Sequence, residues 1–358
     1  MSINDKVASL IRPEVLELKA YAVPDSTGLI KLDANENPFP WPPEIIQAWL
    51  EVLSNVQVNR YPDPDARRLK ERLCQAMALP AGMDVLLGNG SDELIQIVLM
   101  ALARPGSQVL APAPSFTMYE IVAKSVGMKF ISVPLTDSFD LDVPAVRTMM
   151  KMQRPAVTFL AYPNAPTGNL FAADDVEAII RESDGLVVVD EAYFPFTDAT
   201  FMHRLDHYDN LLVMRTVSKL GLAGLRLGLL VGNQAWLAEF NKVRLPYNVN
   251  SLTQASAEFA LANHEFLDQQ AVWIRAERGK LFAALKEMSA IQVWPSEANF
   301  ILFRVQNGDA THVYDALQAA GVLVKNLDES GALRGCLRVA VGTVKENEAF
   351  LAALRAAV

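Results

Sequence analysis

Short apolar runs rich in β-branched residues alternate with amphipathic helical stretches between residues 44 and 245. The runs include SQVLAPAPS, AVTFLAYPNAPTG, GLVVVDEAY and NLLVMRTVSK, and stretches such as DDVEAIIRES lie between them. A strand, a helix and a second strand in succession form the βαβ unit, whose two strands lie parallel in one sheet. The sequence therefore predicts an α/β fold with a mainly parallel central sheet flanked by helices.

The chain before this region reads as an extended arm. Its first forty-odd residues are irregular, and the proline-rich NENPFPWPP (35–43) is incompatible with regular structure. Several apolar residues make a disordered tail the weaker alternative. They are Leu16, Leu18, Tyr21, Leu29, Ile30 and Leu32. We expect an arm at 1–43 that docks on the rest of the protein.

The chain after this region predicts a second, smaller α/β domain. A long helical section (251–288) leads into the strand-like runs NFILFRV, GVLVKN and CLRVAVG, and the terminal stretch KENEAFLAALRAAV reads as a helix. We predict a large domain at 44–245 and a small domain at 246–358.

Charge and cysteine content restrict the class of partner. The net charge of -9 argues against nucleic acid or an anionic membrane, although a local cationic pocket could still bind a small anion. Cys74 and Cys336 form no CxxC pair, so no metal site or disulfide framework is predicted. The N-terminal residues contain no long apolar stretch, and LIQIVLMALA is too short to span a bilayer. These features predict a soluble, cytoplasmic protein.

Polar residues follow four of the predicted strands, and the exits of parallel strands share one edge of a sheet. The exits read GNGSD (88–92), NAPTG (164–168), DEAY (190–193) and SK (218–219). The first of them leads into a helix whose N-terminal amides could hold a phosphate. Taken alone, this turn is better explained as a tight strand-to-helix connection with Gly90 or Ser91 as the N-cap.

Two of these exits carry opposite charges at the ends of apolar strands. Asp190 follows three valines, so its carboxylate needs a cation or a strong donor, unless it merely caps a helix. Lys219 ends another apolar run, where a lowered pKa makes an amine nucleophilic toward carbonyl groups. An amine, a buried carboxylate and a phosphate cup on one sheet edge describe a pyridoxal 5′-phosphate site.

Seven motifs occur along nearly the whole chain. They are LDANENP, RYPDP, GNGSDELI, YPNAPTGN, VVVDEAY, TVSKLGLAGLRLG and CLRVAVGT. In number and order they resemble those of the fold-type I, class II aminotransferases, and most closely those of the histidinol-phosphate aminotransferase branch. The resemblance implies a cytoplasmic homodimer that contains pyridoxal 5′-phosphate. Its expected reaction is reversible amino transfer between L-histidinol phosphate and 2-oxoglutarate, which gives imidazole-acetol phosphate and L-glutamate in histidine biosynthesis.

The same resemblance assigns the catalytic roles. Lys219 would carry the cofactor as a Schiff base and move the proton between the substrate and the cofactor. Asp190 would keep the pyridine nitrogen protonated, and Tyr193 would bond the cofactor's O3′ oxygen. Phe116 would stack on the ring, although core packing is the commoner fate of an aromatic residue. The residues expected at the cofactor phosphate are Gly90, Ser91, Asp92, Ser218 and Arg226.

Further residues are expected at the substrate or from a partner subunit. Arg338 would bind the substrate carboxylate, unless it simply faces solvent on its alternating strand. Asn35 and Lys325 are also expected at the substrate. Tyr61 and Tyr21 match tyrosines that reach the cofactor phosphate and the substrate phosphate of the neighbouring subunit. The arm would therefore pack on the small domain and on that subunit.

Three positions depart from the family's pattern. Ala165 stands where relatives have an asparagine that contacts O3′, which leaves Tyr193 alone, or with water or a shifted Asn164. The loop from Lys219 to Arg226 is one residue shorter than in many relatives. Lys325 replaces an arginine near the distal anionic group of the substrate.

Other functions are compatible with these motifs. An aromatic amino acid aminotransferase shares the motifs, and a threonine-phosphate decarboxylase shares the scaffold and a phosphorylated substrate. A regulatory cofactor-binding domain would normally need an attached DNA-binding module, and the chain contains no basic helix-turn-helix extension.

Overall fold

The computed structural model describes residues 1–20, 22–306 and 309–358. Its strands are β1 (Ile30–Lys31), β2 (Met83–Gly88), β3 (Gln108–Ala113), β4 (Lys129–Pro134), β5 (Val157–Ala161), β6 (Leu186–Asp190), β7 (Leu211–Thr216), β8 (Gly228–Asn233), β9 (Ile291–Val293), β10 (Phe300–Val305), β11 (Val322–Leu323), β12 (Lys325–Asn326) and β13 (Cys336–Ala340). Its α-helices are α1 (Ile3–Leu10), α2 (Pro13–Leu16), α3 (Pro43–Ser54), α4 (Arg67–Ala76), α5 (Ser91–Leu102), α6 (Met118–Ser125), α7 (Val143–Gln153), α8 (Ala173–Glu182), α9 (Gln234–Asn241), α10 (Ser251–Ala262), α11 (Glu265–Lys286), α12 (Ala310–Ala319) and α13 (Val344–Ala357).

The larger sheet has the strand order β2-β8-β7-β6-β5-β3-β4 within the described residues. Strands β4, β3, β5, β6 and β7 run parallel to one another, whereas β8 runs antiparallel to both β7 and β2. Strand β2 is therefore parallel to β7. The predicted mainly parallel α/β sheet is confirmed, and the exits of β2, β5, β6 and β7 share one edge.

The central strands are buried on both faces, because helices cover both sides of a parallel sheet. All five residues of β5 and of β6 are buried. Alternate side chains point to opposite faces, so Phe159 packs in one core cluster and Leu160 in the other. This double burial makes the sheet a rigid support for the residues at its edge.

The smaller sheet has the order β12-β13-β10-β9 and is antiparallel. The predicted long helical section is two helices, α10 and α11, separated at Asn263 and His264. Helix α10 packs against α3 and α4, and Ala257 joins the core of the larger sheet. Helix α11 packs beside β9 and β10. The domain boundaries at residues 43 and 245 stay a prediction.

The arm is more regular than the sequence predicted. Helix α1 begins with a capping box in which Ser2 and Asp5 bond each other's backbone N–H groups, and this local pattern stabilises a helix in a segment with few buried contacts. Further along the arm, Ile30 and Lys31 pair in parallel with Val322 and Leu323 of β11. Within the described residues, no helix is long and apolar enough to cross a membrane.

Candidate active site

The turn between β2 and α5 forms a cup lined by backbone N–H groups. Gly90 stands at the N-cap with φ 87°, a conformation that favours glycine, and it has no side chain to occupy the first amides of the helix. A Cβ atom at Gly90 would lie 2.7 Å from Nη2 of Arg226, and one at Gly228 would lie 2.7 Å from the nitrogen of Ser91. Both glycines therefore allow a close approach that side chains would prevent.

Arg226 lies over this cup. Its Nη1 is 3.3 Å from Oγ of Ser218, and its Nη2 is 3.5 Å from Oδ2 of Asp92. The helix dipole, the uncapped amides and the guanidinium all favour an anion at this point. The shorter loop after Lys219 thus still brings Arg226 to the predicted phosphate position.

Asp190 is almost fully buried at the end of β6. Its Oδ2 accepts a hydrogen bond of 2.6 Å from the Tyr119 hydroxyl, and its Oδ1 accepts one of 3.1 Å from the N–H of Ala192. Burial raises the pKa of Asp190 to about 6, although these two hydrogen bonds act in the opposite direction. The carboxylate is therefore ionised at neutral pH and poised to pair with a cationic partner.

Tyr119 fixes the orientation of this carboxylate. The ring is wholly buried, stacks on Phe159 with 4.6 Å between centroids, and meets the edge of Phe116 at 5.5 Å. None of the motifs described above includes this residue. The only local indication was that Tyr119 lies three residues after Phe116, a spacing that places two side chains on the same side of a helical turn. Its hydrogen-bond partner, Asp190, lies 71 residues away in the sequence, so no local pattern predicts the contact.

Lys219 follows β7 in a short 3₁₀ turn formed by Ser218–Leu220. Its Nζ donates a hydrogen bond of 3.0 Å to the carbonyl oxygen of Ala34 in the arm. Burial, together with the charge of Arg338, lowers the pKa of Lys219 to about 8. A larger fraction of this amine is neutral at pH 7 than of an ordinary lysine, which makes it a better nucleophile.

A cavity of about 120 Å³ joins these groups. Its lining includes Ser91, Asp92, Phe116, Ala165, Asp190, Tyr193, Ser218, Lys219 and Arg226. It shares Phe116, Ala165, Tyr193 and Lys219 with a second cavity of about 480 Å³. The larger cavity is also lined by Asn35, Lys325 and Arg338, so the expected substrate residues face one space beside Lys219.

Arg338 and Lys325 are opposite one another on adjacent strands. They are register partners in β13 and β12. Nη2 of Arg338 donates a hydrogen bond of 2.8 Å to the carbonyl oxygen of Asp33, and its guanidinium carbon lies 5.0 Å from the Phe300 ring centroid. The substrate-side cavity therefore carries two cationic side chains.

Tyr193 is buried between the two cavities. Its hydroxyl accepts a hydrogen bond of 2.9 Å from Nδ2 of Asn35, and its ring meets the edge of Phe300 at 5.1 Å. Burial raises the pKa of Tyr193, while Arg338 and the bond from Asn35 act in the opposite direction. Tyr193 therefore remains a neutral hydroxyl donor at physiological pH.

Asn164 does not take the place of the missing amide at position 165. Its Nδ2 donates to the carbonyl oxygen of Pro114 at 3.0 Å and to Oγ1 of Thr167 at 2.7 Å. Its Oδ1 accepts a hydrogen bond of 2.9 Å from Ser115. The side-chain amide of Asn164 is therefore occupied by hydrogen bonds within the neighbouring loops, and the side chain of Ala165 offers only a methyl group to the cavities.

The two tyrosines expected from a partner subunit do not lie in this chain's own cavities. Tyr61 is 81% exposed and stacks on Tyr247 with 4.5 Å between centroids. It lines a separate surface groove together with Arg60 and Arg72. Tyr21 lies outside the described residues.

Comparison with known proteins agrees with this geometry. The family described as "Aminotransferase class I and II" matches residues 27–354. The chain belongs to this aminotransferase family. As a member, it is an enzyme that depends on pyridoxal 5′-phosphate, as the sequence predicted.

Individual relatives are similar over almost their full length. The chain is 57% identical to "Histidinol-phosphate aminotransferase 2" of Nitrosococcus oceani over 99% of this chain and 98% of that protein. It is 49% identical to the histidinol-phosphate aminotransferase of Chromobacterium violaceum over 98% of each chain. A crystal structure of a histidinol-phosphate aminotransferase from Sinorhizobium meliloti, in complex with pyridoxal 5′-phosphate, superposes with a TM-score of 0.87 at 22% identity and covers 98% of this chain and 99% of that chain. The fold-type I architecture is confirmed.

The residues of this aminotransferase fit the cofactor. The cup at Gly90 and Arg226 suits its phosphate, and Phe116 flanks the cavity in which the ring would lie. Asp190 offers a buried carboxylate to the ring nitrogen, and Lys219 offers an amine of lowered pKa to the aldehyde. The individual contacts remain predictions.

A buried ion pair that no sequence motif indicates supports the loop that carries Tyr193. Glu191 has no exposed side-chain surface and accepts hydrogen bonds from Arg215 at 2.7 and 2.9 Å. It also accepts hydrogen bonds from the Thr200 hydroxyl and the N–H of Phe201. These four donors satisfy the carboxylate and fix residues 191–201 against β7.

Proposed function

We propose that this aminotransferase transfers an amino group reversibly between L-histidinol phosphate and 2-oxoglutarate. The products are imidazole-acetol phosphate and L-glutamate, and the reaction belongs to histidine biosynthesis. The observation that carries the proposal is the cavity beside Lys219 with Arg338 and Lys325 on adjacent strands. Both substrates place an anionic group near the reacting carbon, a phosphate in one and a carboxylate in the other. The names of the relatives that are 49–57% identical support the same substrates.

Each polar residue has a definite task in this reaction. When bound, the cofactor supplies the electron sink and carries the amino group between the two substrates. Asp190 would place its negative charge beside the ring nitrogen of the bound cofactor, and Tyr193 would donate its hydroxyl hydrogen to the ring oxygen O3′. Lys219, with its lowered pKa, accepts a proton at Nζ from the substrate carbon and returns it. Arg338 orients the substrate through its anionic group.

We include a homodimer in this proposal. Tyr61 is exposed on the surface, in a groove that also contains arginines. Helix α1 buries none of its residues in this chain, and Ile3, Val7 and Leu10 are exposed. A second subunit would cover these apolar side chains and receive Tyr61 at its cofactor phosphate. Tyr21 is assigned to the partner's substrate on the resemblance alone, and the cytoplasmic location stays a prediction.

The visible absorption spectrum of the purified holoenzyme tests the reaction. Histidinol phosphate should bleach the band of the lysine-bound cofactor, and 2-oxoglutarate should restore it. Lys219→Ala is the matched control and should lack this band. Bleaching by phenylalanine or tyrosine but not by histidinol phosphate would instead identify an aromatic aminotransferase. Release of carbon dioxide from O-phosphothreonine would identify a decarboxylase.

Subunit mixing tests the composite site separately. Lys219→Ala and Tyr61→Ala should each impair activity alone. Subunits exchanged between the two variants should regain activity, because one site of each mixed dimer then contains both native residues. A monomer in solution, or no recovery after verified exchange, would refute the proposed contribution of Tyr61.

A further inference from the structure

Three consecutive arm residues contact three side chains of the site. The carbonyl oxygen of Asp33 accepts from Arg338, and that of Ala34 accepts from Lys219. Asn35 differs from both, because its contact is made by the side chain and is directed at the Tyr193 hydroxyl. A substitution can therefore remove this contact without altering the backbone bonds to the other two residues.

The position of Asn35 is fixed by its surroundings. The residue is 2% exposed and has φ 55°, a left-handed conformation that asparagine adopts more readily than most residues. Its own carbonyl oxygen accepts a hydrogen bond of 2.9 Å from Nδ2 of Asn299. The amide thus approaches Tyr193 from a rigid segment.

The direction of the bond determines what the hydroxyl can do. A phenol has one hydrogen to donate, and its oxygen can accept from another group. Since Nδ2 of Asn35 donates to the oxygen of Tyr193, the phenolic hydrogen is left to point away from the arm. Tyr193 lines both cavities, so this hydrogen is available on the side where the cofactor would lie.

The direction of the Asn35–Tyr193 bond matters because the side chain at position 165 supplies no other donor to O3′. Ala165 lines the same two cavities and its side chain offers no hydrogen-bond donor, and the side-chain amide of Asn164 is occupied elsewhere. Oδ1 of Asn35 is buried and has no hydrogen-bond partner among residues 1–20, 22–306 and 309–358, which leaves this end of the amide able to accept from a bound molecule. Asn35 can therefore donate to Tyr193 through Nδ2 and still accept a hydrogen bond from substrate through Oδ1.

We propose that Asn35 is a positioning residue that holds the Tyr193 hydroxyl as a donor to O3′, a role that gains weight here because the side chain at position 165 supplies no second donor. The inference rests on the proposed cofactor site. Charged groups around the hydroxyl are Asp190, Arg338 and Lys219. Asn35→Ala and Ala165→Asn add no charge to this set, whereas Asn35→Asp adds a carboxylate.

A pH titration of the visible cofactor band tests this role without measuring turnover. The band reports protonation of the nitrogen that links Lys219 to the cofactor. A donor to O3′ withdraws electron density from that oxygen and lowers the pKa of the linking nitrogen. Asn35→Ala should therefore raise the midpoint by about half a unit to one unit, the effect of one neutral hydrogen bond. Adding Ala165→Asn to this variant should move the midpoint back.

Two further variants separate positioning from arm docking. Asn35→Asp puts an acceptor in place of the donor and should draw the Tyr193 hydrogen toward the arm, with an upward shift at least as large. Asn37 anchors the same arm through Gln270 at 2.9 Å, so Asn37→Ala should lower stability without moving the midpoint. Cofactor-loaded Asn35→Ala or Asn35→Asp that titrates like the native enzyme would overturn the inference.

The remaining outcomes are also decisive. If Asn35→Ala does not fold, Asn35→Asp, which keeps the size of the side chain, is titrated instead, and the midpoint should rise. No change there would overturn the inference. Absence of a visible band in the native protein would refute the proposed function itself, which distinguishes the two failures.

Discussion

Replacing Tyr119 by phenylalanine should change how the affinity for the cofactor depends on pH. The substitution keeps the ring that stacks on Phe159 and removes the hydroxyl that donates to Asp190 at 2.6 Å. A hydrogen bond to a charged group contributes about 1.5–3 kcal/mol, and one pKa unit corresponds to about 1.4 kcal/mol. The pKa of Asp190, about 6 in the native protein, should therefore rise by roughly one to two units.

The consequence for binding follows from the sign of this shift. A protonated Asp190 must lose its proton before it can pair with a protonated ring nitrogen, so affinity falls below the pKa of Asp190. At high pH the Asp190 carboxylate is ionised in both proteins. The variant lacks the Tyr119 hydrogen bond both before and after the cofactor binds, so the loss of this bond does not change the affinity there. The ratio of variant to native dissociation constants should therefore be near one at high pH and rise to roughly 10–100 below pH 6.

Titration of the apoenzyme with cofactor at a series of pH values measures this ratio. Lys219 titrates in both proteins, so its contribution cancels in the ratio. Thermal unfolding confirms that the variant is folded. A ratio that stays constant across the pH range would refute the reasoning, because it would mean that Tyr119 only packs and does not act through the charge of Asp190.

Three further predictions concern other parts of the site and its support. Because the pKa of Lys219 is lowered to about 8, the rate at which the apoenzyme binds the cofactor covalently should rise about tenfold per pH unit up to that value and then level off. Stopped-flow absorbance measures this rate, and a continued rise toward pH 10 would contradict the lowered pKa. Arg226→Lys should weaken binding of pyridoxal phosphate by roughly tenfold or more, because lysine lacks the two parallel N–H donors of the guanidinium. Equilibrium titrations should show unchanged binding of unphosphorylated pyridoxal. Equal weakening of both ligands would argue against a phosphate contact. Arg215→Ala should lower the free energy of unfolding, measured in urea, by about 3–5 kcal/mol, because it leaves Glu191 buried without its cation. Adding Glu191→Gln to this variant should recover part of the lost stability. No recovery would show that the unpaired charge is not the cause of the loss.

The strand exits illustrate what sequence patterns predict well. Alternating strands and helices, with β-branched residues between glycines and prolines, predict a parallel sheet from local information. Once the sheet is parallel, Asp190 and Lys219 must share an edge, because Asp190 is the last residue of β6 and Lys219 lies three residues beyond the end of β7. The registers of β6 with β7 confirm that placement.

The arm shows where local patterns were insufficient. Its prolines predicted irregular structure, but α1 forms because Ser2 and Asp5 cap its first turn. The pairing of Ile30 with Val322 depends on a strand almost three hundred residues later in the chain. No local periodicity encodes such a partner.

The sequence by itself determined the alternation of strands and helices between residues 44 and 245, the family, and the lysine and carboxylate at the sheet edge, because each of these can be recognised from short stretches of neighbouring residues. Tertiary structure alone decided which hydroxyl orients Asp190 and which amide holds Tyr193. Tyr119 meets Asp190 across 71 residues, and Asn35 meets Tyr193 across 158. Contacts at that separation are selected by the packing of the arm and of both sheets as whole units, and the free energy of that packing is not a property of any short segment.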